Sequence, residues 1–194
     1  GVNMARTGMT NLIGELRALA VAGTGDYTLG TVNYWSDDQL QTVLDRHQLT
    51  VVREELHPVE QYEGGTLVYK EHRSQYGNFE QTSGGTAIFE VENAAGSTYG
   101  TALWSMDYTR GVLTFAASTG GSSVFINGYS YDIYRAAADV WRQKAGHHAG
   151  AVDFKTDNMS VNRSDLMKQD LEMAKYYDGM GRVKKISFER DDTT

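Results

Sequence analysis

The amino-acid sequence predicts an α+β fold: a small helical bundle, an antiparallel β insertion and an extended C-terminal tail. Three patterns lead there. Apolar residues recur at helical spacing towards both ends of the chain, they alternate through much of the middle, and the helical stretches carry capping and dipole signals at their starts. Helices are expected near 10–22, 36–48, 130–148 and 163–178, with the β insertion at about 50–126. Residues 1–49 and 127–179 would then form the helical domain, and 180–194 the tail.

Leu12, Ile13, Leu16, Leu19 and Ala20 carry the first helix, with Thr10 or Asn11 as cap and Gly23 as stop. The Gly- and Thr-rich residues 24–33 read as a loop. The second helix has the clearest start. Ser36 and Gln39 stand at capping-box spacing, Asp37 and Asp38 suit the positive end of the helix dipole, and Trp35 can fold back onto Leu40. Leu40, Val43, Leu44 and His47 mark its apolar face. After Thr50 the period falls to two. Strands are expected at 49–56, 66–71, 86–92 and 112–115, separated by Gly64-Gly65, Gly84-Gly85, Gly96 and Gly120-Gly121. Pro58 has no amide to give a ladder, so the strand before it should end there or lie at an edge. Residues 74–81 and 93–98 are polar enough to be mobile loops.

The third helix organises the rest. Gly128 breaks what precedes it, Ser130 stands as cap, Asp132 falls in the first turn, and Lys144, His147 and His148 sit where the dipole favours cations. Gly146 and Gly150 mark its end. Tyr134, Ala138, Trp141 and Ala145 form a stripe that Ile133, Ala137 and Val140 widen. Three consecutive alanines from Ala136 allow another helix to approach closely, while Tyr134 and Trp141 supply large anchoring areas. Arg135 and Asp139 lie one turn apart and can pair. Residues 154–161 read as a linker, and Asn162 as the cap of a last helix through Leu166, Met167, Leu171, Ala174 and Tyr177 that stops at Gly179. The tail is basic, with Val183, Ile186 and Phe188 alternating along it; a short tail of this kind is usually frayed in an isolated domain, and the alternative is an edge strand added to a partner.

Composition narrows the chemistry. A net charge of −7 argues against a general nucleic-acid-binding surface, which needs many cations on one face. The absence of cysteine excludes disulfides, thiolate metal sites and a cysteine nucleophile. No apolar run approaches the roughly 20 residues that span a bilayer, and Glu15 and Arg17 interrupt the early apolar segment, so a soluble chain without a signal peptide is expected. His147 and His148 are adjacent, so on a helix they diverge and suit a helix end better than a metal. His47 has the same helix-end reading, and His57 and His72 lack an acidic partner at ligand spacing. The carboxylate pairs Asp37-Asp38, Glu54-Glu55 and Asp191-Asp192 read as solvated. The glycine pairs lack the Lys-Ser or Lys-Thr of a phosphate loop, and no serine sits in a Gly-x-Ser-x-Gly elbow. No cofactor, metal or catalytic residue is therefore expected. Tyr69, Tyr76, Tyr99, Trp104 and Tyr108 suit either the filling of a sheet or a stacking surface for glycan; a metal-assisted hydrolase is the remaining alternative.

Three separated stretches, Trp35 to His47, Asp107 to Phe115 and Gly128 to Asp139, followed by Phe154-Lys-Thr-Asp157 and Arg163-Ser164, together resemble the head-tail connector (adaptor, or head-completion) proteins of long-tailed bacteriophages. The resemblance covers about residues 10–177 and rests on their order and spacing. It implies a helical structural protein of the virion neck that assembles, generally as twelve copies, into a ring beneath the portal. Such a ring extends the channel for double-stranded DNA and receives a stopper or tail-completion protein below. It would be assembled in the host cytoplasm, with no membrane involved. By the same resemblance the tail would dock on the portal through Arg182, Lys184, Lys185, Ile186 and Phe188; independently of it, the small-residue face with Tyr134, Ala137, Ala138 and Trp141 suits close packing between helices or subunits. The β insertion is larger than in the shorter members.

Overall fold

The computed structural model describes residues 5–24, 26–29, 32–82, 88–149, 154–156, 159–161 and 163–181. These form a mixed α+β structure with four α-helices and two antiparallel sheets. Helix α1 (Thr10–Leu19) follows a 3₁₀ turn at Thr7–Met9, and the Thr10 hydroxyl donates to the Thr7 carbonyl instead of capping. The helix stops four residues before Gly23, with Val21 at a φ of 47°. Its last carbonyls find partners on a distant helix, so no glycine is needed to close it.

Where a loop was expected, β1 (Tyr27–Leu29) and β2 (Val32–Tyr34) pair as a hairpin. Helix α2 (Asp37–Asp45) begins as the sequence predicts. The Ser36 amide donates to Gln39 Oε1 at 2.8 Å and the Gln39 amide to Ser36 Oγ at 3.3 Å, completing the capping box. Trp35 and Leu40 are buried in the same core.

Seven strands build the two sheets: β3 (Gln48–Glu55), β4 (His57–Glu63), β5 (Thr66–Arg73), β6 (Glu90–Asn93), β7 (Trp104–Asp107), β8 (Val112–Phe115) and β9 (Val124–Tyr131). One sheet has the order β3-β9-β6, the other β4-β5-β8-β7. Strand β3 ends at Glu55, and Pro58 falls on β4 at the edge of its sheet, where a missing amide costs least. The register of β3 against β9 shifts between Val51 and Glu54. Arg53 takes the extra position at a φ of 46°, its amide donating to Asn127 Oδ1 and its guanidinium lying 4.7 Å from the centre of the Phe125 ring.

The sequence segment 74–81, expected to be mobile, is pinned on both sides. Asn78 and Phe79 amides donate to the Thr109 and Tyr108 carbonyls, Glu54 accepts from the Ser74 hydroxyl and the Gln75 amide, and the Phe79 side chain is buried. Residues 93–98 close a turn in which Asn93 Oδ1 accepts from the Ala95 and Ser97 amides.

Strand β9 runs to Tyr131, so helix α3 (Ile133–Ala149) starts later than predicted. Ser130 belongs to the strand and donates to the Gly77 carbonyl at 2.5 Å, while Asp132 supplies the cap through Oδ1 to the Arg135 amide at 3.2 Å. Gly146 is taken through in helix, since no contact there requires its freedom and the helix continues to Ala149. Within the stretch expected as a linker, β10 (Phe154–Thr156) and β11 (Met159–Val161) pair antiparallel. Helix α4 (Arg163–Met180) closes the described chain and packs chiefly on α3; its expected cap, Asn162, lies outside the described residues.

Two cores result. Met9, Leu16, Trp35, Leu40, Leu44, Tyr131 and Val140 belong to the helical one, and Phe79, Phe89, Leu113, Phe115 and Ile126 to the sheet one. Tyr76, Tyr99, Trp104 and Tyr108 pack against the sheet core. Gly111, at a φ of 70°, lies so close to the Tyr76 carbonyl that a Cβ would strike it. Gly111→Ala is expected to lower stability by about 1–3 kcal/mol through that contact and the left-handed backbone. Leu44→Ala should cost about 2–5 kcal/mol as a core cavity, each read by urea unfolding followed by circular dichroism.

Candidate functional site

The most elaborate polar arrangement sits where the two cores meet. Arg6 Nε and Nη2 donate to Glu80 Oε1 and Oε2 at 2.8 and 3.2 Å, while Nη1 and Nη2 donate to Asp45 Oδ2 and Oδ1 at 3.1 and 2.7 Å. The Tyr131 hydroxyl donates to Glu80 Oε2 at 2.6 Å and accepts from Arg6 Nη2 and Gln48 Nε2. Glu80 is 1 % exposed, so its charge is tolerable only because a guanidinium and a phenol meet it. The hydrogen bonds to Asp45 and then Glu80 raise the Arg6 pKa, keeping it charged at every accessible pH. Burial, seconded by Glu80, pushes the Tyr131 hydroxyl up and holds it neutral. Beside this cluster is a recess of about 390 Å³ walled by Gln48, Ile88 and Tyr129.

Around α3 the expected packing residues have distinct surroundings. Ala137 and Ala138 are fully buried. Tyr134 stacks on Tyr177 of α4 with ring centres 6.4 Å apart. Trp141 Nε1 donates to the Leu19 carbonyl at 3.3 Å, and Lys144 Nζ to those of Ala20 and Val21 at 2.9 and 2.7 Å. Two α3 side chains thus satisfy the end of α1, the Lys144 charge facing its negative pole. The expected Arg135–Asp139 pair is replaced: Arg135 lies 3.6 Å from its own cap Asp132, and Asp139 binds both His47 Nε2 at 2.7 Å and Arg142. His47 lies beyond the end of α2 and joins α2 to α3. Arg142 also reaches Asp178 of α4. His147 and His148 lie in the last turn of α3, with His148 Nε2 3.6 Å from the buried Asp170 of α4, whose carboxyl is raised by burial against the opposing pull of His148 and Lys144.

The outer face of the second sheet holds a shallow recess of about 620 Å³ lined by Glu71, Arg73, Asp107 and Arg110 with Ser105 and Thr114. Its carboxylates and guanidinium groups balance in number, and Glu71 and Arg73 already pair at 2.7 Å. His72, on the inner face, is fully buried and pushed down by burial, with Nε2 3.1 Å from Thr119 Oγ1. Asp37 pairs with Arg17 rather than standing in solvent alone. Arg182, Lys184, Lys185, Ile186, Phe188 and the Asp191-Asp192 pair lie outside the described residues. Among the described residues, no three His, Cys, Asp or Glu side chains are grouped to hold a metal ion, and no helix is long and apolar enough to cross a membrane.

Neither Arg6 nor Glu80 is singled out by a motif, since the side chains that meet the Arg6 guanidinium lie 39 to 125 positions away from it. Comparison with protein-family models, curated proteins and solved structures finds no match.

Arg6→Ala strands the Glu80 carboxylate and should cost about 3 kcal/mol, less after pairing with Glu80→Gln, as denaturant midpoints would show. The folded-state pKa of Tyr131 lies above the unfolded value of about 10, so its stabilisation is complete below that value and is lost as pH rises beyond it. Tyr131→Phe should flatten the alkaline limb of a melting-temperature profile. Asp170 is raised as well, so ionising it at neutral pH opposes folding; Asp170→Asn should raise the melting temperature at pH 7 and do so less near pH 3.

Proposed function

We propose that the chain is a structural protein of a phage neck, forming an adaptor ring between the portal and the stopper or tail that extends the DNA channel and helps complete the packaged head. The observation that carries it is the helical part of the molecule: an alanine-centred α3 buried between α1, α2 and α4, with α4 on the outside presenting large apolar side chains to solvent. This supports a small helical bundle made for contact with neighbours, in the order of elements that the resemblance to head-tail connectors implies. In that bundle the β part, about residues 50–126, is an insertion carried between α2 and α3. A chain of net charge −7 suits a channel wall, because phosphates slide past an acidic lining without being held. The basic segment with Arg182, Lys184, Lys185, Ile186 and Phe188 is the portal-binding element, and the chain works by shape, with no catalytic residue and no cofactor. Tyr76, Tyr99, Trp104 and Tyr108 are partly buried against the sheet core, which favours packing over glycan stacking for those rings.

Purified chain mixed with portal protein should give rings by negative-stain microscopy and a multimer by native mass spectrometry. Removing residues 182–194 should abolish retention on the portal. A full chain that neither multimerises nor stays on the portal would overturn the proposal.

A further inference from the structure

The connection 116–123 between β8 and β9 contains no charged residue, and it is fastened to β5 around Tyr69. The ladder between β5 and β8 ends at Glu71 and Thr114. Beyond it, the Tyr69 carbonyl accepts from the Thr119 amide at 2.9 Å and from the Thr119 hydroxyl at 3.1 Å, and the Tyr69 amide donates to Ser118 Oγ at 2.9 Å. The fully buried His72 closes this fastening from within the core, its Nε2 3.1 Å from Thr119 Oγ1 and its ring edge-on to Phe115 with centres 5.5 Å apart. These contacts fix where the imidazole proton lies. A hydroxyl has a single hydrogen to give, and that of Thr119 goes to the Tyr69 carbonyl, so Nε2 donates to Oγ1 and Nδ1 is the bare nitrogen. Nδ1 is buried, and among the described residues it meets no hydrogen-bond partner. A second proton would therefore put a donor and a charge where nothing accepts them.

We infer that His72 is a proton-operated latch: while neutral it holds the connection 116–123 on β5, and protonation at Nδ1 releases that connection and opens the sheet core beside Phe115. The charges nearby are spoken for. On β5, Glu71 and Arg73 alternate to the outer face and pair with each other at 2.7 Å, and Lys70 is held by Glu63 at 2.7 Å. On β4 the residue opposite is Pro58; His57 stands opposite Arg73, and Glu60 accepts from the Tyr69 hydroxyl. On β8, Leu113 is opposite and Phe115 adjoins, with Tyr99 edge-on to Phe115 in turn. Glu54 of β3, which reaches this sheet, is taken by the Ser74 hydroxyl and the Gln75 amide. None of these carboxylates accepts from Nδ1. Burial pushes the imidazole below its ordinary value of 6.5, with the Tyr69 carbonyl pulling the other way. The folded-state value being depressed, the stabilisation is complete above the unfolded value of about 6.5 and is lost as pH falls below it towards the folded-state value. The latch belongs to the β part alone and stands apart from the neck proposal.

Hydrogen exchange of the full chain, followed by mass spectrometry at about pH 7.5 and about pH 5 with the intrinsic rate divided out, tests the latch. Peptides covering 66–73 and 112–124 should open about tenfold more often at the lower pH, while α1 and α2 keep their protection. His72→Gln keeps a donor where Nε2 stands and cannot take up a proton, so its acid opening should disappear; a circular dichroism melt checks that it folds. Should it not fold, the ring nitrogen signals of the unsubstituted chain in NMR decide: Nε2 protonated and Nδ1 bare at neutral pH, with protonation of His72 coinciding with loss of protection in 112–124. Acid opening that persists in folded His72→Gln overturns the inference. So does a His72 ring that carries its neutral-form proton on Nδ1, or that takes up its second proton while 112–124 stay protected.

Discussion

One buried carboxylate constrains the molecule more than any other group. Glu80 sits between the helical core and the sheet core, and burying its charge alone would cost several kcal/mol. Arg6 and Tyr131 answer it, and Arg6 in turn draws in Asp45 at the end of α2. Four segments far apart in sequence must therefore arrive at one point: the residue before the first 3₁₀ turn, the end of α2, the segment beside β9, and the end of β9 itself. Any alternative packing of helices on sheets would leave at least one of these charges without its partner.

That requirement shapes the transition from sheet to helix. Tyr131 must stay in extended backbone, two residues beyond Tyr129, whose carbonyl accepts from the Glu80 amide, for its hydroxyl to reach the Glu80 carboxylate. Helix α3 can only begin after it, with Asp132 as cap and its amide donating to the His47 carbonyl. Once placed, α3 serves its neighbours: Trp141 and Lys144 complete the end of α1, Asp139 holds His47 after α2, and Tyr134, Arg142 and His148 meet α4. The alanines bring these helices near enough for such side chains to reach.

The functional proposal depends on what this arrangement leaves outside. With α3 at the centre, α4 is the outermost helix, and its exposed apolar side chains have nothing over them within the described residues. A protein that works as one part of an assembly needs such surfaces, and it needs a frame stiff enough to hold them at a constant distance. The clamp at Arg6 and the capping of α1 by α3 add to that stiffness, beside the backbone hydrogen bonds from the Gln81 amide to the Gly8 carbonyl and from the Asp132 amide to the His47 carbonyl.

Local chemistry by itself determined the α+β class, the start of α2, the strand 112–115, the alanine face of α3 and the place of Pro58 near an edge. Each follows from residues within one or two turns of each other, where capping geometry and periodicity suffice. Tertiary structure decided the rest. Ser130 looks like a cap but lies in a strand because β9 bonds to β3 on one side and to Phe79 on the other. Helix α1 ends before its glycine because α3 takes its carbonyls, and residues 74–81 are pinned because buried Phe79 and Glu80 have distant partners. The Arg6 cluster was invisible in the sequence for the same reason: an ion pair spanning so much chain has no spacing to betray it, and only the folding of both cores brings its members within hydrogen-bond reach.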